Sequence, residues 1–244
     1  MRSSASCSDL LGNEHSVWRS LRTARASAIF SSHLASRRIM KGYSDPINHA
    51  LAFAAKHHDQ QVRRGTRLPY ITAAPSIALI LTRYGQDDQT VVAGILRDVV
   101  DDYSRDGLTR EMLAARVGDK FGSEILDILL RIVERRYDDD GVEMSQRDRK
   151  EDLLARMAAA DDRARWVTAA ELLHSAGTLT AELARTEFPD NAWSQLPGGR
   201  DEGTTRFRRL YDRLTEVGFR AAIMQELGRM VDDLERRAVR APRD

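Results

Sequence analysis

The run Gln89-Thr90-Val91-Val92-Ala93-Gly94-Ile95-Leu96-Arg97-Asp98-Val99-Val100-Asp101-Asp102 decides how this chain folds. Val91, Val92, Ile95, Leu96 and Val99 recur at three- and four-residue intervals, the spacing that gathers side chains on one side of an α-helix. Arg97 and Asp98 interrupt that apolar face with charge. The helix is expected to end at an acidic turn, Asp101-Asp102.

The same periodicity extends in both directions. Upstream, Asp45 is expected to cap a helix with Pro46 at its first position, where a missing N–H costs nothing. Ile47, Ala50, Leu51, Ala54 and His58 follow at helical spacing. Residues 60–70 read as a polar, basic loop. A second helix begins after Thr72, carries Ile77, Ala78, Leu81 and Tyr84, and stops at Gly85. Downstream, Thr109 is expected to cap a short helix to Val117. Ser123 is expected to cap one carrying Ile125, Ile128, Leu129 and Ile132. Tyr137 to Met144 reads as an acidic loop, and Ser145 opens a helix with Leu153, Leu154 and Met157.

A helix from about Asp162 carries Trp166, Val167, Ala170, Leu173 and His174. Phe188 to Gly203, with two prolines and Gly198-Gly199, reads as a long connection. Two amphipathic helices, roughly Thr205–Thr215 and Phe219–Arg237, complete the chain. No strand pattern and no internal repeat emerges, so the expected fold is an all-α helical bundle. The expected organisation is a leader over 1–43, a helical domain over 44–180, a connection over 181–203, and C-terminal helices over 204–244 packed on the same domain.

The chain has 244 residues, enough for one sizeable core. Its formal net charge of +1 provides no overall field for nucleic acid or an anionic membrane, and neither partner is expected. The single Cys7 cannot form an internal disulfide or a thiolate metal site, which suits a reducing, cytoplasmic setting. No apolar run has the length of a membrane span. Between Arg19 and Lys41 there is no acidic residue while Arg and Ser recur. That stretch reads as a weakly ordered leader, with organellar targeting or a translation start at Met40 as alternatives.

Three segments together resemble the hydrolase domain of the RelA/SpoT-type guanosine tetraphosphate (ppGpp) hydrolases, a branch of the HD superfamily. Ala54 to Gly65 followed by Leu68-Pro69-Tyr70-Ile71-Thr72 is similar to that family's Ala-His-x-x-Gln-x-Arg-x-Gly loop leading to Pro-Tyr-x-x-His-Pro. Ile95 to Asp102 resembles Leu-Leu-His-Asp-Val-Val-Glu-Asp. Ala169 to Ser175 resembles Ala-Asp-Lys-Leu-His-Asn. The similarity covers roughly residues 45–180, with the segments in order and correctly spaced. It implies an HD-domain-like bundle and a metal-bound water attacking a phosphate, the ion being held by two His and two Asp.

On that resemblance the first ligand His falls at Ala73, which has no donor atom, and the second at Arg97, a fixed cation. Asp98 is retained and the last Asp becomes Glu171. Two carboxylates alone make a weak site, so no metal is expected; manganese is the ion implied if hydrolysis persists. Arg97 could instead form bidentate bonds to Asp98 and Glu171 and occupy the space of the ion. The family's Glu-Asp pair falls at Asp101 and Asp102, read here as a solvated turn. Arg63 and Arg64 match the basic loop that meets the nucleotide, and Ser175 stands where the family has the Asn near the base.

The remaining chemistry-bearing residues have plainer readings. His58 and His174 are expected as hydrogen-bonded core histidines, while His57 and His49 are expected at the surface. Asp138-Asp139-Asp140 lacks the spaced oxygens of a calcium loop, and Asp161-Asp162 caps a helix. There is no P-loop and no Gly-x-Ser-x-Gly turn. The stripe Val217, Ala221, Met224, Leu227, Met230, Val231 and Leu234 is expected to pack on its own domain, with homodimerisation as the alternative. Two functions remain: a binding or regulatory module for a purine nucleotide or a protein, and an active metal-dependent phosphohydrolase.

Overall fold

The structure, a computed structural model, describes residues 43–63 and 68–240. Cys7, the leader, the Met40 start and Arg64 lie outside the described residues. The described chain is all α, with two isolated antiparallel bridges, Val62 to Pro69 and Tyr137 to Glu143, and no strand.

Helix α1 spans Asp45–His57, with Pro46 in its first turn. Ser44 occupies the cap position, one residue earlier than the sequence suggests. A 3₁₀ turn, Tyr70–Thr72, leads into α2, Ala73–Arg83, and α3 covers Asp88–Arg105. The start of α3 is set by Asp87, whose carboxylate accepts from the Thr90 backbone N–H at 2.9 Å and the Thr90 hydroxyl at 2.7 Å. These bonds satisfy a donor that the first helical turn would leave orphaned.

Helix α3 is the centre of the bundle. Val91, Val92, Ala93, Ile95, Leu96, Val99 and Val100 are all buried, because α1, α2 and helices described below surround it. Gly94 sets the closest approach. A Cβ there would stand 2.6 Å from Leu81 Cδ1 and 3.0 Å from Ile77 Cγ2, so only glycine lets α2 lie this near. The expected acidic turn at Asp101-Asp102 is corrected: both residues are inside α3, which continues for another turn.

Thr109 caps α4, Arg110–Leu113, which opens into a wide π turn, Ala114–Gly118, and closes as α5, Asp119–Phe121. Helix α6 is Ser123–Ile132. Its cap residue is Gly122 at φ 96°, so Ser123 is the first helical residue and makes no cap bond. Helix α7, Gln146–Ala158, is capped by Ser145 as expected. From it, Arg156 reaches back to the carbonyls of Leu130 and Val133, using guanidinium donors on the free carbonyls at the end of α6.

Helix α8, Asp162–Leu183, begins at the Asp161 cap and touches α2, α3, α6 and the helices that follow. Its alanines at 164, 169, 170 and 176 are fully buried, which allows neighbours on several sides. Phe188 to Gly203 is more structured than a plain connection. It holds α9, Pro189–Trp193, with Ala192 and Trp193 buried, and the first turn of α10, Gly199–Glu216. Apolar side chains at 192, 193 and 196 anchor the segment, a signal outweighed in the sequence by its Pro and Gly content. Helix α11, Ile223–Arg240, lays Leu227, Val231 and Leu234 against α8 and α10. The C-terminal stripe is therefore covered by its own chain.

Candidate functional site

The α3 sequence that carries the core also carries the site. Arg97 Nη1 donates to Asp98 Oδ1 at 2.7 Å, and each side chain is only 13% exposed. Burial alone would make the guanidinium easier to deprotonate. The charges of Asp101, Glu171 and Asp98, with the Asp98 hydrogen bond, reverse this and push its pKa far above the ordinary value. Burial would likewise raise Asp98, but the Arg97 charge and hydrogen bond, aided by His58 and Arg63, hold its carboxyl below the usual range.

The other three positions are built by different elements. Ala73 opens α2, buried at 2% exposure, and contributes a methyl group. Glu171 comes from α8 and shares a small cavity wall with Arg97, but its own hydrogen bond is from Ser175 Oγ at 3.0 Å. The expected double clamp is thus corrected in one respect. Arg97 bonds Asp98 directly and feels Glu171 through charge. Ser175 turns its hydroxyl back one helical turn onto Glu171. The metal of the HD-type reaction needs several converging donors; Ala73 offers none and Arg97 repels a cation, so these four residues do not fit it.

Around this centre lie groups that the sequence placed elsewhere. His57 was expected at the surface, yet its Nε2 stands 3.2 Å from Asp102 Oδ2 and its ring packs edge-on against Tyr103. Asp102 is accordingly no free acidic turn. His58, 3% exposed, is held by Gln61 Oε1 at 2.8 Å from Nδ1, in line with its core reading. His49 is exposed as expected. Arg63 Nη2 donates to His174 Nε2 at 3.2 Å, joining residues 111 positions apart. Since arginine only donates, that nitrogen of His174 is the acceptor. Burial, followed by the Arg63 charge, lowers the His174 pKa below the ordinary imidazole value.

Beside His174 a groove of about 800 Å³ runs between α2, α8 and α11. Ile80, Leu173 and Met230 give it apolar wall, Arg83 and Arg185 give it charge, and Tyr84 donates to Glu226 at 2.7 Å across it. Arg63 lies 6.0 Å from the Tyr70 ring centroid, and its buried Nε has no partner among the described residues. The groove and the Tyr84–Glu226 tie were not visible in the sequence, because α2 and α11 are 142 positions apart at that contact.

Residues 50–193 match the HD domain family, and the chain belongs to it. Over 76 residues, 31% of this chain, it is 38% identical to a probable GTP pyrophosphokinase of Mycobacterium leprae (strain TN). That stretch spans only 9% of the mycobacterial protein. Among solved structures it is similar to a metazoan ortholog of SpoT, described as hydrolysing ppGpp and acting in starvation responses. The TM-score is 0.57 at 19% identity, covering 81% of this chain and 97% of the other. The lmo0812 protein of Listeria monocytogenes EGD-e gives a TM-score of 0.55 at 21% identity, covering 67% and 99%. At these identities the two structures speak for the fold. Among the described residues no helix is long and apolar enough to cross a membrane.

Proposed function

We propose that this chain is a ppGpp-hydrolase-like HD protein in which Arg97 takes the place of the metal ion, and that it binds a purine nucleotide without metal-dependent hydrolysis. The observation that carries the reading is the buried Arg97–Asp98 ion pair. A guanidinium already neutralises the carboxylate that the reaction needs for its metal, and cannot give up its charge.

The nucleotide half rests on the groove. Its volume is within the range of small-ligand sites, which combine apolar wall with a few polar groups. Arg63, which donates to the groove-lining His174, has the planar geometry that suits a phosphate oxygen or a base face.

The test is hydrolysis of ppGpp and of purine nucleotides with added manganese. No turnover above the protein-free rate is expected. Turnover that Asp98→Ala abolishes would establish the active phosphohydrolase instead. In equilibrium dialysis with labelled ppGpp, Arg63→Ala is expected to weaken binding about ten-fold, on the scale of one charge-assisted contact. No binding of labelled ppGpp by the unmodified chain would leave a protein partner as the better reading, and binding that ignores Arg63 would move the nucleotide away from that residue.

A further inference from the structure

Outside the four positions of the HD site, one cluster among the described residues has the composition of a metal centre. His57, His58 and Asp102 each present a ligand atom, and these atoms all lie within 4.8 Å of one another. His57 Nε2 is 3.2 Å and His58 Nδ1 is 3.7 Å from the same oxygen, Asp102 Oδ2. Ligands bound at about 2.0–2.1 Å to one tetrahedral ion stand roughly 3.3–3.4 Å apart, a value these two edges bracket, while the edge between the imidazoles is at most 4.8 Å and closes as the ion binds.

We propose that His57, His58 and Asp102 form a site for a divalent transition-metal ion of the zinc or cobalt type, separate from the HD position. The donor set is two imidazoles and a carboxylate, which suits a borderline ion and differs from the all-oxygen sets that take magnesium or calcium. Three protein ligands leave a further position for water or an anionic group. The site shares no ligand with Ala73, Arg97, Asp98 or Glu171, although His58 is near enough to act on the Asp98 charge.

Local structure explains how neighbouring histidines meet one carboxylate. His57 is the last residue of α1 and His58 already leaves helical geometry, at φ −91° and ψ 16°. Gln60 is at φ 61°, the only non-glycine with positive φ among the described residues, in a conformation that costs about 1–2 kcal/mol. The turn it makes returns Gln61 to His58, where its carbonyl oxygen sits 2.8 Å from Nδ1. An ion must displace that contact, or draw the Gln61 oxygen in as a further ligand. Tyr103 and Tyr70 pack against the two imidazoles and limit their rotation.

The experiment is cobalt titration of the chelator-treated full chain, followed by visible absorption, with zinc competition to give affinity and stoichiometry. One ion per chain with tetrahedral cobalt bands is expected. His57→Ala and His57→Gln should each weaken binding at least about ten-fold, as losing a direct ligand exceeds the usual cost of losing a supporting partner. Far-UV circular dichroism checks that both variants remain folded. Glu171→Gln should leave binding unchanged. Absence of stoichiometric binding in the unmodified chain, or binding indifferent to both His57 variants, overturns the proposal. So does equal weakening by Glu171→Gln, which would place the ion at the HD position.

Discussion

Residue 97 lies among the buried apolar side chains of α3 and carries a permanent charge, which Asp98 answers at 2.7 Å. Removing the guanidinium should therefore hurt more than its size suggests. Arg97→Ala is expected to lower unfolding stability by about 3 kcal/mol in urea titration, mostly because Asp98 is left buried and unpaired. Arg97→Met with Asp98→Leu should cost clearly less than the sum of the single changes. His174 offers a second test. Its imidazole is held neutral, with a pKa below the unfolded value of about 6.5, so the unfolded chain binds its proton first as pH falls. Its contribution to stability is full above pH ~6.5 and declines as pH drops toward the lower folded value. A thermal midpoint followed by pH should show this loss, and His174→Gln should flatten it. The identity of these residues was legible from motif position, but their partners were not. His57 looked like a surface residue because its partner is 45 positions away, and Arg63 gave no sign of facing His174.

Among the elements, α3 reads most directly from sequence, because its burial on nearly all sides leaves a dense apolar pattern. Its boundaries read less well. Asp87 caps it where the pattern suggested a start near Gln89, and its end lies beyond Asp102, since acidic residues at a helix end can face a partner as readily as water. The short α9 was hidden for the opposite reason: prolines and glycines dominated a stretch fixed by a few buried apolar side chains. The α2–α3 contact is sharply testable. An exposed Gly to Ala change in a helix usually stabilises by up to about 1 kcal/mol. At Gly94 the new methyl would meet Leu81 and Ile77, both buried, so a net loss of about 1–2 kcal/mol is expected in urea unfolding.

Across the whole molecule, the all-α architecture and membership of the HD family were readable because local periodicity and three ordered motifs carry them. The groove was not, being made by α11 returning to α2 and α8. That return also answers the apolar stripe, which is covered internally. Ending the chain at Gly218 should uncover the α8 face that Leu227, Val231 and Leu234 now fill, and cooperative thermal unfolding is expected to be lost.

A cation carried on the side chain of residue 97 has a different history from one taken from solution. It arrives with translation and needs no loading. Divalent sites are exposed to the general order of metal affinities, in which copper and zinc outcompete manganese wherever they are available. If Arg97 stands in for the ion as proposed, the Arg97–Asp98 pair is outside that contest: no chelator strips a guanidinium, and no shortage of metal empties its place.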